Sequence, residues 1–314
     1  MLWLVSRGRA LFVWCVIGVW AVELRVPEVD GLAQAVGALR EWQHDEAPMQ
    51  LHPGDVGWFW RAGAAATAAA LRTWSREGEI LAVGLLDGPD LLRMTMAPHA
   101  HRDQELGHRL AEDLTAPERG VLPTGPVSVE APLGALVHDL LFERDWASAD
   151  DPWTPLHRDL AGPVPDPGMR VEPVGPGEAR AWTAVQRASF ERSTFTDERW
   201  QSMAAGLPYA DGRCLLAYDE SGTPVASVAV WSAGPGRPGL VEPMGVHPEH
   251  RGRGFGRAVT VGAAAALHEM GASSAIVCTP SATHGGAGGS AALATYASAG
   301  FQPRPEVRDT CRLA

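Results

Sequence analysis

The sequence predicts a mixed α/β protein made of two tandem, related domains, each a central twisted mixed sheet flanked by helices. Three observations lead there. In the second half of the chain, short β-branched runs alternate with alanine-rich segments whose apolar residues fall at helical spacing. Residues 159–168, Asp-Leu-Ala-Gly-Pro-Val-Pro-Asp-Pro-Gly, hold proline and glycine too densely for a helix or a central strand, and they divide the 314 residues near the middle. Finally, residues 91–102 lie over residues 241–252 at a constant offset that keeps Met94 with Met244 and Pro98 with Pro248. The expected organisation is an apolar extension over 1–20, a first domain over 21–158, a linker over 159–168 and a second domain over 169–314.

In the second domain, residues 169–174 alternate as a strand does, and 177–190 carry Ala181, Trp182, Val185, Ala188 and Ser189 on one helical face. Strand signals return over 214–218 and 225–231, and the turn residues 219–224 between them predict a hairpin. A third strand over 239–246 leads through a glycine-arginine loop into a helix over 256–270, which Gly271 stops. A β-branched run over 275–279, a glycine-rich loop over 284–289 and a short helix over 290–299 complete the order β-α-β-β-β-α-β-α-β. In the first domain, residues 79–86 resemble the 226–231 strand region, and residues 141–146 echo residues 296–301. The two halves read as divergent copies.

Composition narrows the function. A net charge of −11 argues against a general nucleic-acid binder, which needs a basic face to displace counterions. The chain has no Lys, so every strong cation is Arg. Cys15, Cys214, Cys278 and Cys311 are widely spaced and form no C-x-x-C pair, so neither a zinc site nor a disulfide framework is expected and a reducing cytoplasm fits best. Arg7 and Arg9 before the apolar run 10–22 imitate a signal peptide. The run is shorter than the roughly 20 residues of a membrane span and no small-residue cleavage site follows, so an extended terminus or a buried strand is the expectation. No membrane association is expected.

The stretch from His250 to Ala258, His-Arg-Gly-Arg-Gly-Phe-Gly-Arg-Ala, carries the chemistry. Glycine is needed where backbone approaches a ligand closely or takes positive φ, and a helix N-terminus offers unpaired N–H groups to an anion. A P-loop would require Gly-Lys-Ser/Thr, which a chain without Lys cannot supply. A dinucleotide fingerprint requires G-x-G-x-x-G after a first strand, whereas Gly252, Gly254 and Gly256 alternate and follow a later one.

The remaining pattern, Arg251-x-x-Gly254-x-Gly256 after a strand ending Val246-His247-Pro248, resembles the pyrophosphate signature of the GCN5-related N-acetyltransferase (GNAT) superfamily. Tyr296-x-x-x-Gly300-Phe301 is similar to the end of a second motif of that family, with Gly289 where Asn is usual and Thr295 where Leu is usual. The resemblance implies acetyl-CoA as co-substrate, its pyrophosphate on the amides of Gly252, Arg253, Gly254, Phe255, Gly256 and Arg257, with Arg251, Arg253 and Arg257 adding charge-assisted hydrogen bonds. It also implies a splayed strand, aided by Pro243, where the backbone of Met244, Gly245 and Val246 meets the pantetheine arm. Tyr296 would protonate the departing thiolate. No metal is implied.

An alkylamine acceptor is only about one part in 10³ neutral at pH 7, so a base or a water chain must take its proton. Glu242 is the candidate base. It lies four residues before Val246, so both side chains share one face of an extended strand. His247 is the weaker candidate, because its position turns it away from Glu242. A structural salt bridge is the competing role for Glu242. Cys278, in an apolar strand, reads as a packed thiol, so no covalent enzyme intermediate is required.

In the first copy Asp103, Gln104 and Leu106 stand where Arg253, Gly254 and Gly256 stand in the second, and Leu141 falls where Tyr296 would be. This predicts a degenerate domain that does not bind CoA and instead shapes the acceptor pocket. The expected activity is acetyl transfer to a primary amine of a small molecule by direct attack, in a monomer or homodimer. A non-catalytic acyl-CoA sensor and an enzyme like mycothiol synthase, acetylating a cysteinyl amine, are the alternatives.

Overall fold

The computed structural model describes residues 21–282 and 286–313. The apolar extension 1–20 and the start of the glycine-rich loop at 284–285 lie outside them. The elements run β1 (Glu23–Arg25), α1 (Leu32–Glu41), α2 (Pro53–Phe59), α3 (Ala64–Ala70), β2 (Leu71–Arg76), β3 (Glu79–Leu86), β4 (Leu91–Met96), α4 (Gln104–Thr115), β5 (Val127–Glu130), α5 (Leu136–Phe142), β6 (Ala147–Ser148) and β7 (Trp153–Asp159). They continue as β8 (Val171–Pro173), α6 (Ala179–Ser189), α7 (Asp197–Ala204), β9 (Gly212–Tyr218), β10 (Pro224–Ser232), β11 (Gly239–Val246), α8 (Phe255–Glu269), β12 (Ser274–Pro280), α9 (Gly286–Ser298), β13 (Gln302–Pro303) and β14 (Thr310–Arg312). Most expected elements of the second half lie within a few residues of their expected bounds. The short helix α7 had no sequence signal strong enough to place it.

Two seven-stranded mixed sheets result, ordered β1-β2-β3-β4-β5-β14-β6 and β13-β7-β12-β11-β10-β9-β8. The internal repeat is visible in the pairing: β4 runs antiparallel to β3 and parallel to β5, as β11 does to β10 and β12. In the second sheet the parallel pairing covers only Gly239 with Ala275 and Leu240 with Ile276, after which β11 and β12 part. The bond count explains the fork. Between Val228↔Met244 and Val230↔Val241, Glu242 and Pro243 lie opposite the single residue Ala229, a bulge that bends β11 away.

The sheets exchange their late strands across the expected domain limits. Strand β7, expected to close the first domain at 158, lies in the second sheet, where it pairs along its whole length with β12. Strand β14, from the far C-terminus, lies in the first sheet between β5 and β6. The linker after β7 therefore joins two strands of one sheet rather than two domains.

Further contacts seal the halves together. Gly54 and Gly57, one turn apart on α2, face the Trp231 ring so closely that a Cβ on either would stand 2.5 Å from it. His52 bonds through Nε2 to the Pro238 carbonyl at 3.1 Å, and Arg40 pairs with Asp211. Strand exchange predicts that the halves unfold as one unit. A Cys311→Pro substitution removes a ladder donor from an internal strand and should cost about 3 kcal/mol. The urea midpoint should fall in a single transition; two separated transitions would contradict the coupling.

Candidate active site

The loop after β11 is shaped by two glycines rather than three. Gly252 has φ 72° and Gly254 has φ 87°, values a side chain resists, and Gly254 forms the N-cap of α8. Among the described residues, none of the backbone N–H groups of Gly252, Arg253, Gly254, Phe255, Gly256 and Arg257 has a protein acceptor; the ladder of α8 begins with Ala258 donating to the Gly254 carbonyl at 3.0 Å. Six successive donors at a helix N-terminus form an anion cradle. Gly256 serves a second purpose besides offering its N–H to the cradle. It lies inside α8, where a Cβ would stand 3.0 Å from Thr295 Cγ2 on α9. Its bare Cα lets the two helices meet.

The arginines divide in the same way. Arg251 donates through Nη2 to the Ser189 carbonyl at 2.9 Å and through Nε to the Val246 carbonyl at 3.3 Å. Its guanidinium therefore ties the end of α6 to the end of β11, a positioning role that its motif did not announce. Arg253 approaches His250 Nδ1 at 3.2 Å and lies over the Phe255 ring, while Arg257 donates to the Ser298 carbonyl at 3.2 Å; both side chains are exposed at the cradle. His247, Glu249 and His250 beside it bring one possible metal-ligand atom each within 4.8 Å of one another.

Strand β11 presents alternate residues to the fork. Gly245 pairs with Ser227 on β10, and His247 N–H donates to the Val225 carbonyl, so the backbone groups of Met244 and Val246 turn toward the gap left by β12. Gly245 is small because of α6: a Cβ there would stand 2.4 Å from Ser189 Cβ. Gly289 has a similar cause, since a Cβ would meet the Ser281 and Pro280 carbonyls at 2.8 and 2.9 Å where α9 crosses the end of β12. The Asn usual at that position would not fit.

Glu242 lies in the bulge. Its carbonyl accepts a 2.7 Å hydrogen bond from Trp231 Nε1, which anchors the backbone. Among the described residues its carboxylate has neither a hydrogen bond nor an ion pair, which sets aside the salt-bridge role. It faces a cavity of about 210 Å³ between the two halves, lined also by Met49, Asp87, Arg93, Glu130, Cys278 and Asp309. Burial pushes the Glu242 pKa above its usual value; Arg93 and Arg61 pull it down, and Glu130 and Asp87 push it further up.

Tyr296 is buried on α9 against Phe301, at 5.7 Å between ring centroids. Burial raises its pKa, and Glu242 and Cys278 raise it further. The Cys278 thiol, also raised by burial, is kept protonated. Cys214, Cys278 and Cys311 are all free.

The cavity wall contains residues that no local motif announced. Arg93 bonds Asp55 Oδ1 at 2.7 Å and Glu130 Oε2 at 2.9 Å, with Asp87 Oδ2 at 3.7 Å. Burial pushes the Asp55 carboxyl up to about 7 against the pull of Arg93. These residues lie on four segments of the first half and meet Glu242 only through folding. Their separation in sequence left no spacing to read.

The equivalent loop of the first half is closed on itself. Asp103 caps α4 by accepting from the Leu106 N–H at 2.8 Å, and Arg76 pairs with Asp103 at 2.9 Å and with Glu105 at 3.1 Å. The Arg76 hydrogen bond holds the Asp103 carboxyl below its usual range. A carboxylate thus lies where the second half leaves donors free.

A forked mixed sheet with a donor-lined loop at the start of the helix after the parting strand is the arrangement of acetyltransferases of the GNAT fold. Residues 210–303 match the model of the Acetyltransferase (GNAT) domain. The whole chain has the tandem form of that fold. It is similar to a GCN5-related N-acetyltransferase from Sphaerobacter thermophilus (20% identity, TM-score 0.55, covering 93% of this chain and 95% of that one). It is also similar to a tandem GNAT protein from the clavulanic acid biosynthesis pathway (15% identity, TM-score 0.58, 93% and 98%). No curated protein sequence matches the chain. Among the described residues no helix is long and apolar enough to cross a membrane.

Proposed function

We propose that this protein transfers the acetyl group of acetyl-CoA to a primary amine of a small molecule by direct attack. The observation that carries the reading is the run of N–H groups from Gly252 to Arg257 that have no acceptor among the described residues, directly after the strand whose bulge holds Glu242. The cradle fits a diphosphate: its donors converge on a helix N-terminus, and Arg253 and Arg257 add positive charge at its rim. Acetyl-CoA, when bound, supplies an activated thioester. The backbone of Met244 and the N–H of Val246, whose carbonyl already accepts from Arg251, hold the pantetheine arm, and an N–H of this pair faces the carbonyl oxygen as negative charge develops on it.

Glu242 accepts the proton of the incoming ammonium, and its raised pKa makes it a better base than an ordinary carboxylate. Tyr296, kept protonated by burial, donates to the departing sulfur. The first half binds no CoA and builds the acceptor wall. A non-catalytic sensor is not favoured, because a candidate base, Glu242, faces the cavity with an unpaired carboxylate, and among the described residues nothing in the cavity selects a cysteinyl amine. Cytoplasmic location and a monomer or homodimer complete the proposal.

Calorimetry with CoA tests the cradle. The protein should bind CoA at one site per chain, and Gly254→Val, which forces a β-branched residue to positive φ, should weaken binding at least tenfold. Absence of CoA binding, or an unchanged affinity in the variant, would reject the assignment.

A further inference from the structure

The cavity at Glu242 holds more negative charge than acetyl transfer requires. Its cations are already committed. Arg93 is held by Asp55 and Glu130, and Arg308 donates to the Ala149 carbonyl at 2.8 Å and to the Asp150 carbonyl. Against them the wall presents Asp87, Glu130, Glu242 and Asp309. Two of these, Glu242 and Asp309, have no hydrogen bond or ion pair from their carboxylates among the described residues. Asp309 immediately precedes β14, and His138 beside it is tied through Nδ1 to Thr310 Oγ1 at 2.7 Å and through Nε2 to the Ala131 carbonyl at 3.2 Å, so it supplies no free partner. Burial pushes the Asp309 carboxyl up to about 6, with Glu130 adding and Arg93 opposing. At pH 7 Asp309 is therefore ionised at a cost that a bound cation would offset.

Resting on the acetyl-transfer reading, we propose that the acceptor is a small aliphatic molecule with two cationic nitrogens, one presented to Glu242 for acetylation and the other held by Asp309. Met49, Leu91, Leu133 and Val307 supply apolar surface in the same cavity for the carbon spacer between them. The volume of about 210 Å³ suits a short chain. Asp309 reaches this wall only because β14 crosses into the first sheet, so the exchanged strand carries a specificity residue.

Calorimetry on the CoA-loaded full-length protein, with putrescine and n-butylamine as probes, tests this without turnover. Putrescine should bind at least tenfold more tightly. The ratio of the two affinities should fall to about one in Asp309→Asn and be retained in Asp309→Glu, with thermal melts showing that both variants fold. Equal binding of the two amines, or a ratio unchanged in Asp309→Asn, would overturn the inference. Acetyl-CoA consumption is read in parallel. A preference for putrescine without consumption with either amine supports the paired-cation site and rejects the acetyl-transfer reading on which its role as acceptor rests; consumption with n-butylamine without any preference supports acetyl transfer and overturns the inference.

Discussion

Tyr296→Phe is expected to lower kcat by about 10²–10⁴-fold, the usual worth of a positioned acid, while the affinity for CoA changes less than twofold. The substitution removes one oxygen and keeps the ring that packs on Phe301 in the core of the second sheet. The fold and the cradle are therefore untouched, and what disappears is the donor for the departing sulfur. The raised pKa sharpens the expectation, because a phenol displaced upward by burial stays protonated over the whole range in which an amine becomes nucleophilic. Steady-state kinetics and CoA titration together decide it. A loss confined to KM would assign Tyr296 to packing on the cofactor arm instead.

Glu242→Gln should cost about 10²–10³-fold in kcat/KM at pH 7, and the deficit should shrink about tenfold per pH unit as pH rises toward the amine pKa near 10.4. The sign follows from who removes the proton. With Glu242 ionised, the abundant ammonium form of the acceptor is productive; without it only the free amine reacts, and that fraction grows with pH. The group's pKa is raised, so the wild-type rate should fall as acid protonates Glu242 at a pH above the ordinary carboxylate range near 4.3. Gln keeps the shape of the bulge and the Trp231 bond, which involves only the Glu242 backbone carbonyl. A deficit independent of pH would exclude the base role.

The second half was legible because its chemistry is local. An anion cradle needs consecutive amides and a helix start, so Gly252 and Gly254 had to stand within a few residues of Phe255. The same reasoning assigned Gly245 and Gly256 to the ligand, and the structure adds a packing demand, because a Cβ there would meet Ser189 on α6 and Thr295 on α9. Both uses of glycine need only a missing Cβ, and a sequence does not show which neighbour would meet it. Arg251 carries a second role for a related reason. Its charge is visible in sequence, but the carbonyls of Ser189 and Val246 that satisfy it are not.

The sequence by itself determined the two-copy α/β layout, the glycine-arginine loop of the second copy and the acidic residue that stands in the equivalent loop of the first, because each depends on residue type over a short stretch. Tertiary structure alone decided that β7 and β14 trade sheets and that Asp55, Asp87, Arg93, Glu130 and Asp309 converge on Glu242. Strand pairing is made through backbone groups that every residue carries, so a strand's destination leaves little mark on its composition. The fields that set the charges in the cavity come from groups far apart along the chain, and folding is what brings them within reach of one another.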